Sequence, residues 1–130
     1  MRIFHGREAN LPSEKRGTTF TGEVWADVVM PAADGITINN VFFTPGARTF
    51  WHTHEQGQIL QVTAGKGWIC VDGESAQPIR AGDTVWIPAG ERHWHGAAQD
   101  SYMLHTATSI GKTGWQDEVT QDQYEQSTRR

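Results

Sequence analysis

Two histidine-bearing units carry the chemistry legible in this chain. The first reads Gly46-x5-His52-x-His54-x3-Gln58, and the second, about two dozen residues on, reads Gly82-x5-Pro88-x-Gly90-x2-His93. Side chains alternate along a strand, so His52 and His54 share one face while Trp51 and Thr53 take the other. Residues two apart sit ~6.5–7 Å from each other at Cα. Two imidazoles at that separation can converge on one metal ion. Gln58 follows a short loop and can approach from the adjoining strand. His93 completes the set if the two glycine-led units are neighbours in space. The fourth donor is then an amide, where a carboxylate is the more ordinary ligand. Three neutral imidazoles and a neutral amide leave a divalent cation its full charge, which favours Lewis-acid over one-electron chemistry. Spacing alone is compatible with Mn2+, Fe2+, Ni2+ or Zn2+.

The other histidines are His5, His95 and His105. Alternation puts His95 on the face of His93, against Trp94, and puts His105 with Met103 and Ala107. An imidazole can both accept and donate a proton near neutrality. Beside a dication its pKa falls, which favours the neutral base. His105 is therefore the first candidate for proton transfer and His95 the second. The expected pocket is apolar and aromatic, with Val41, Phe50, Trp86 and Met103, and with Asn39 and Ser109 as polar groups near its mouth. Trp68, Trp86 and Trp115 are assigned first to packing. Cys70, among Trp68, Ile69 and Val71, reads as a buried small side chain rather than a nucleophile.

Short strands and tight turns must position these groups. The 130 residues include 14 glycines and 6 tryptophans, with aromatic and β-branched runs between glycine and proline breaks. That pattern points to an all-β sandwich or barrel. Strands are expected over 22–30, 36–44, 48–54, 58–63, 68–71, 84–88, 92–97 and 102–110. Ala64-Gly65-Lys66-Gly67 is expected to be a hairpin turn. The chain reads as a single domain, 1–130, long enough to bury its own core. Within it lie a polar arm or edge strand over 1–19, a core barrel over about 20–111 and a tail over 112–130. Trp115 to Gln126 has helical spacing, with Thr113 or Gly114 as the expected cap.

Formal net charge is −4, which argues against nucleic acid as a partner. No apolar stretch approaches the ~20 residues of a membrane helix, and Met1 to Arg7 lacks the apolar core of a signal peptide. The sole cysteine, Cys70, allows no intrachain disulfide. The expected setting is cytoplasmic. Glu23 to Met30 is an apolar-rich edge that needs cover, and a homodimer is expected by analogy.

The two units resemble the two motifs of the cupin superfamily, small jelly-roll (double-stranded β-helix) barrels that hold a divalent metal inside. Gly46, His52, His54 and Gly65 match the first motif, with Gln58 in place of its glutamate. Gly82, Pro88, Gly90 and His93 match the second, with Ala97 in place of its asparagine. A closer resemblance is to the bacterial cupin-fold hydroxynitrile lyases. It rests on Pro45-Gly46-Ala47-Arg48-Thr49, Trp51-His52-Thr53-His54, Gly57-Gln58 and Val62-Thr63-Ala64-Gly65-x-Gly67-Trp68. It extends to Gly82-Asp83-x-Val85-Trp86, Gly90-Glu91-x-His93-Trp94-His95-Gly96-Ala97-Ala98 and the tail Val119-Thr120-x2-Gln123-Tyr124. This resemblance implies manganese held by His52, His54, Gln58 and His93, and a histidine, His105, beside the substrate. Ser109 is shorter than the amide found there in some of the lyases.

The resulting expectation is a metal-dependent lyase that cleaves a cyanohydrin to aldehyde and cyanide. Two other classes stand beside it: an Fe(II)-dependent dioxygenase, and a non-catalytic metal-bearing binding or sensor barrel. Sugar isomerisation is a further possibility, since related barrels perform it.

Overall fold

The alternating segments fold as strands throughout the computed structural model, which describes residues 1–6 and 11–129. The strands are β1 (Glu14–Arg16), β2 (Phe20–Thr21), β3 (Val24–Ala33), β4 (Ile36–Phe43), β5 (Arg48–Thr49) and β6 (His52–His54). They continue as β7 (Gln58–Val71), β8 (Gln77–Arg80), β9 (Thr84–Ile87), β10 (His93–Ala97), β11 (Met103–Ile110) and β12 (Thr113–Trp115), before helix α1 (Gln121–Thr128). The main path runs β1-β3-β4-β11-β7-β10-β5-β2; β8 and β9 flank β7, and β6 joins β10 to β12. This nearly closed antiparallel sheet makes an all-β barrel with one short C-terminal helix, as expected. Four residues of the expected N-terminal arm, 7–10, and the last residue of the tail lie outside the described part.

Strand β7 corrects one expectation. Ala64 to Gly67 is not a hairpin turn: the chain runs straight through it as one 14-residue strand. The first half of β7 pairs with β11 and β9, and its second half with β10 and β8. The two glycines are what allow the crossing between sheets. Gly65 has φ +74°, and a Cβ there would land on the Tyr102 carbonyl; a Cβ at Gly67 would land on the Gly96 carbonyl. Glycine in a strand interior commonly marks such a bend or close backbone approach. The short-range pattern shows the break but not that pairing continues beyond it.

The core divides across the sheet. Inside, Val24, Ala26, Val41, Phe43, Val62, Ile79, Ala97 and Met103 pack together. Outside, beneath α1, Trp51, Cys70, Trp94, Val119 and Tyr124 form a second cluster, with Trp68 against it. Full burial of one large apolar side chain contributes about 1.5–3 kcal/mol. Alternation on β6 and β10 therefore does two things at once. The tryptophans anchor the outer cluster, and the histidines between them are driven inward. Cys70 is buried, and burial pushes its thiol pKa up, which fits an inert packing role.

The tail also differs from expectation. Thr113 to Trp115 forms strand β12 against β6, and the helix begins only after Thr120. Thr120 accepts a hydrogen bond from the Gln123 amide and its own amide donates to Gln123 Oε1. This capping box, Thr-x-x-Gln, is the local signal that fixes the start. Arg48 secures the segment between strand and helix: its Nε and Nη2 both donate to the Val119 carbonyl, at 3.0 and 2.9 Å. Its guanidinium also lies over the Tyr124 ring. Finally, Val24 to Ala26 is not an open edge, because β1 pairs with it.

Candidate metal centre

Three elements bring the histidines together. His52 on β6 pairs directly with His93 on β10, and their ring centroids lie 4.2 Å apart. His54 is 4.9 Å from His52 and 5.4 Å from His93 by the same measure. The loop after β6 returns the chain into β7, whose first residue, Gln58, places Oε1 3.3 Å from His93 Nε2. His95, one strand step beyond His93, also turns inward. Ring nitrogens of His52, His93 and His95 all lie within 4.8 Å of one another. All of these side chains are buried.

The outer nitrogens fix how the rings face. His52 Nδ1 is 2.8 Å from the Phe50 carbonyl, and His93 Nδ1 is 2.9 Å from the Glu91 carbonyl. A carbonyl only accepts, so each Nδ1 carries the proton and each Nε2 presents a lone pair inward. His54 Nδ1 lies 3.2 Å from Thr113 Oγ1, and its buried Nε2 has no hydrogen-bond partner. The converging nitrogens of His52, His93 and His95 form a three-histidine site that can hold a metal ion; His54 lies beside it and is not part of that convergence. Metal ligation requires neutral imidazoles, and burial supplies them. It drives His52 well below the usual histidine range, helped by the neighbouring His93 charge. Burial likewise lowers His54 and His93 to about 4.

A second pair adjoins these rings. His105 on β11 places Nε2 3.0 Å from His95 Nδ1. The other nitrogens, His95 Nε2 and His105 Nδ1, are buried without a partner. His105 is fully buried, and burial lowers its pKa to about 4. His95 lies well below the usual range, first by burial and then by the adjacent His105 charge.

A cavity of about 260 Å3 opens onto this cluster, lined among others by His52, His54, Gln58, His95 and His105. Larger hollows of about 430 and 660 Å3 lie elsewhere on the described surface, without such a convergence.

A family model described as a cupin domain matches residues 40–107. This chain is a cupin. It is 45% identical over 111 residues to the (R)-mandelonitrile lyase of Granulicella tundricola, covering 81% of this cupin and 85% of that protein. Among solved structures it resembles a cupin-like protein from Thermotoga maritima, with TM-score 0.85 and 36% identity over 94% of this chain and 98% of that one. A polyketide cyclase from Streptomyces resistomycificus shares the fold at TM-score 0.72 and 18% identity, over 96% and 91% of the two chains.

Of the pocket residues expected from sequence, Asn39, Val41 and Ser109 line the cavity of this cupin. Phe50, Trp86 and Met103 are not among its lining residues. The chain breaks between β5 and β6, and the break shifts the alternation, so Thr49 rather than Phe50 joins His52 in the lining. On β9 the inward positions belong to Val85 and the buried Ile87, which leaves Trp86 57% exposed. Met103 lies in the inner core, its sulfur against Gly67. Conversely, Thr113 and Trp115 line the cavity, although the sequence pattern placed them at a helix start. Trp115 stands 4.6 Å from the His52 ring and packs against Phe20 at 5.6 Å, so it lines the cavity as well as packing. The signal available in the sequence was period two: Thr113 and Trp115 share a strand face around Gly114.

Proposed function

We propose that this cupin is a divalent-metal lyase that cleaves a cyanohydrin, with mandelonitrile as the test substrate and manganese as the metal. The observation that carries the reading is a neutral three-histidine, one-amide cluster beside a second, hydrogen-bonded histidine pair, in a chain 45% identical to a mandelonitrile lyase. His52, His54, Gln58 and His93 are the proposed ligands. A cavity of about 260 Å3 lies near the small end of ligand sites and suits a small molecule.

A bound divalent ion supplies Lewis-acid stabilisation of the negative charge that develops on the substrate oxygen. The remaining work is proton transfer. The hydroxyl proton must leave, the carbon–carbon bond breaks with its electron pair going to cyanide, a C=O bond forms, and cyanide takes up a proton. The His95–His105 pair has the form of a two-ended relay. When His105 Nε2–H donates to His95 Nδ1, His95 Nε2 carries a proton and His105 Nδ1 is bare. As His105 Nδ1 takes up a proton, the shared proton passes to His95 Nδ1 and the proton on His95 Nε2 is released, which leaves each ring with one proton and both ends reversed. One end can thus accept the hydroxyl proton while the other releases one, and both rings stay neutral. Burial keeps the pair neutral at pH 7, as a base requires.

The test is cyanide release from (R)-mandelonitrile by manganese-loaded protein. His52→Ala is expected to abolish release along with metal retention. His105→Ala is expected to slow it by about 10²–10⁴-fold, the usual weight of general acid–base catalysis. Fully metallated protein that releases no cyanide would refute the assignment.

A further inference from the structure

An amide ligand has an ambiguity that a carboxylate lacks. Only the oxygen of Gln58 can bind a cation, yet rotating the amide by half a turn exchanges oxygen for an NH2 group of nearly the same shape. Something must choose the orientation, and the structure shows one candidate. Ser109 stands directly opposite Gln58 in the β11–β7 register. Gln58 Nε2 donates to Ser109 Oγ at 3.0 Å, while Gln58 Oε1 points toward His93 Nε2 at 3.3 Å.

We infer that Ser109 is a positioning residue for the metal site: by accepting from Gln58 Nε2 it holds the amide with its oxygen toward the ion. The serine hydroxyl is a fitting choice. It can accept from the amide and rotate its own proton elsewhere. The inference rests on Gln58 being a ligand, as proposed above, but not on the identity of the reaction. It also changes the role of Ser109 from a substrate contact to a support of the ligand, as outer partners of metal ligands generally are.

Affinity for Mn2+ alone, measured by competition with a chelator on the full chain stripped of metal, tests this without any turnover. Loss of an outer partner typically weakens metal binding by about 10–100-fold. Ser109→Ala is expected to fall at the lower end, near tenfold, because the amide can still sample the productive orientation. Ser109→Thr keeps the hydroxyl and is expected to restore binding to within about threefold. The decisive comparison uses Gln58→Glu. A carboxylate presents oxygen in either orientation, so adding Ser109→Ala to that background is expected to change affinity by less than about twofold. Unchanged affinity in Ser109→Ala alone would overturn the inference. So would equal weakening of the glutamine and glutamate forms, since that would be general loosening of the strands. Gln58→Ala separates the two levels of the argument. If it binds Mn2+ as tightly as wild type, the ligand assignment itself fails. If it binds weakly while Ser109→Ala binds normally, only the role of Ser109 falls.

Discussion

His105 offers a quantitative test of whether the inner histidines are held neutral by burial. Its side chain is fully buried, and burial lowers its pKa from 6.5 to about 4. Between those values the unfolded chain binds more protons than the folded one. The stabilising contribution is therefore complete above pH 6.5 and is lost as pH falls through the window toward 4. With a folded value of about 4, the loss between pH 8 and pH 5 is about 2 kcal/mol from this ring alone. Replacing His105 by glutamine removes the titration and keeps a group that can hydrogen-bond His95. The His95 pKa is itself depressed partly by the His105 charge, so the substitution also relieves some of that shift. Both effects flatten the pH dependence. Urea unfolding of metal-stripped wild type and His105→Gln at pH 8 and pH 5 gives the comparison. The variant should lose less stability than wild type over that interval, by about 2 kcal/mol. An equal loss in both proteins would refute the reasoning and show that the ring is not buried as a neutral base.

Two further outcomes follow from single contacts. Thr113→Val removes the hydroxyl beside His54 Nδ1; Mn2+ affinity should fall about tenfold, with unfolding of the metal-free protein nearly unchanged. Arg48→Met leaves the carbonyls of Val119 and Gly46 without their donor and should cost about 2–4 kcal/mol, read in urea or thermal unfolding.

The sequence was most informative where one residue's position follows from strand alternation alone. His52 with His54 and His93 with His95 needed only the period of two, and Trp51, Thr53 and Trp94 had to face the other way. It was least informative where pairing partners are distant in the chain. The break between β5 and β6 moves Phe50 off the histidine face, and no local pattern announces it. The crossing of β7 from one sheet to the other depends on close approaches of Gly65 to Tyr102 and of Gly67 to Gly96, so glycine punctuation resembled a turn. The tail shows competition between two local signals. Helical spacing extended back to Trp115, but pairing of β12 with β6 claimed Thr113 to Trp115, and the capping box set the helix start at Thr120. The tertiary pairing thereby delivered Thr113 and Trp115 to the cavity.

The outer hydrogen bonds of the three proposed histidine ligands also differ in origin. His52 and His93 each lean on the carbonyl two residues upstream in their own segment. Their aim is encoded locally, and it travels with the tripeptides Phe50-Trp51-His52 and Glu91-Arg92-His93. His54 instead borrows its partner from Thr113, 59 residues away. Two rings are thus oriented as soon as their own strands are in place, whereas the third is set only once β12 has docked. The C-terminal strand β12 thereby controls the aim of one of the three rings. That strand is also the place to retune His54 without disturbing the other two rings.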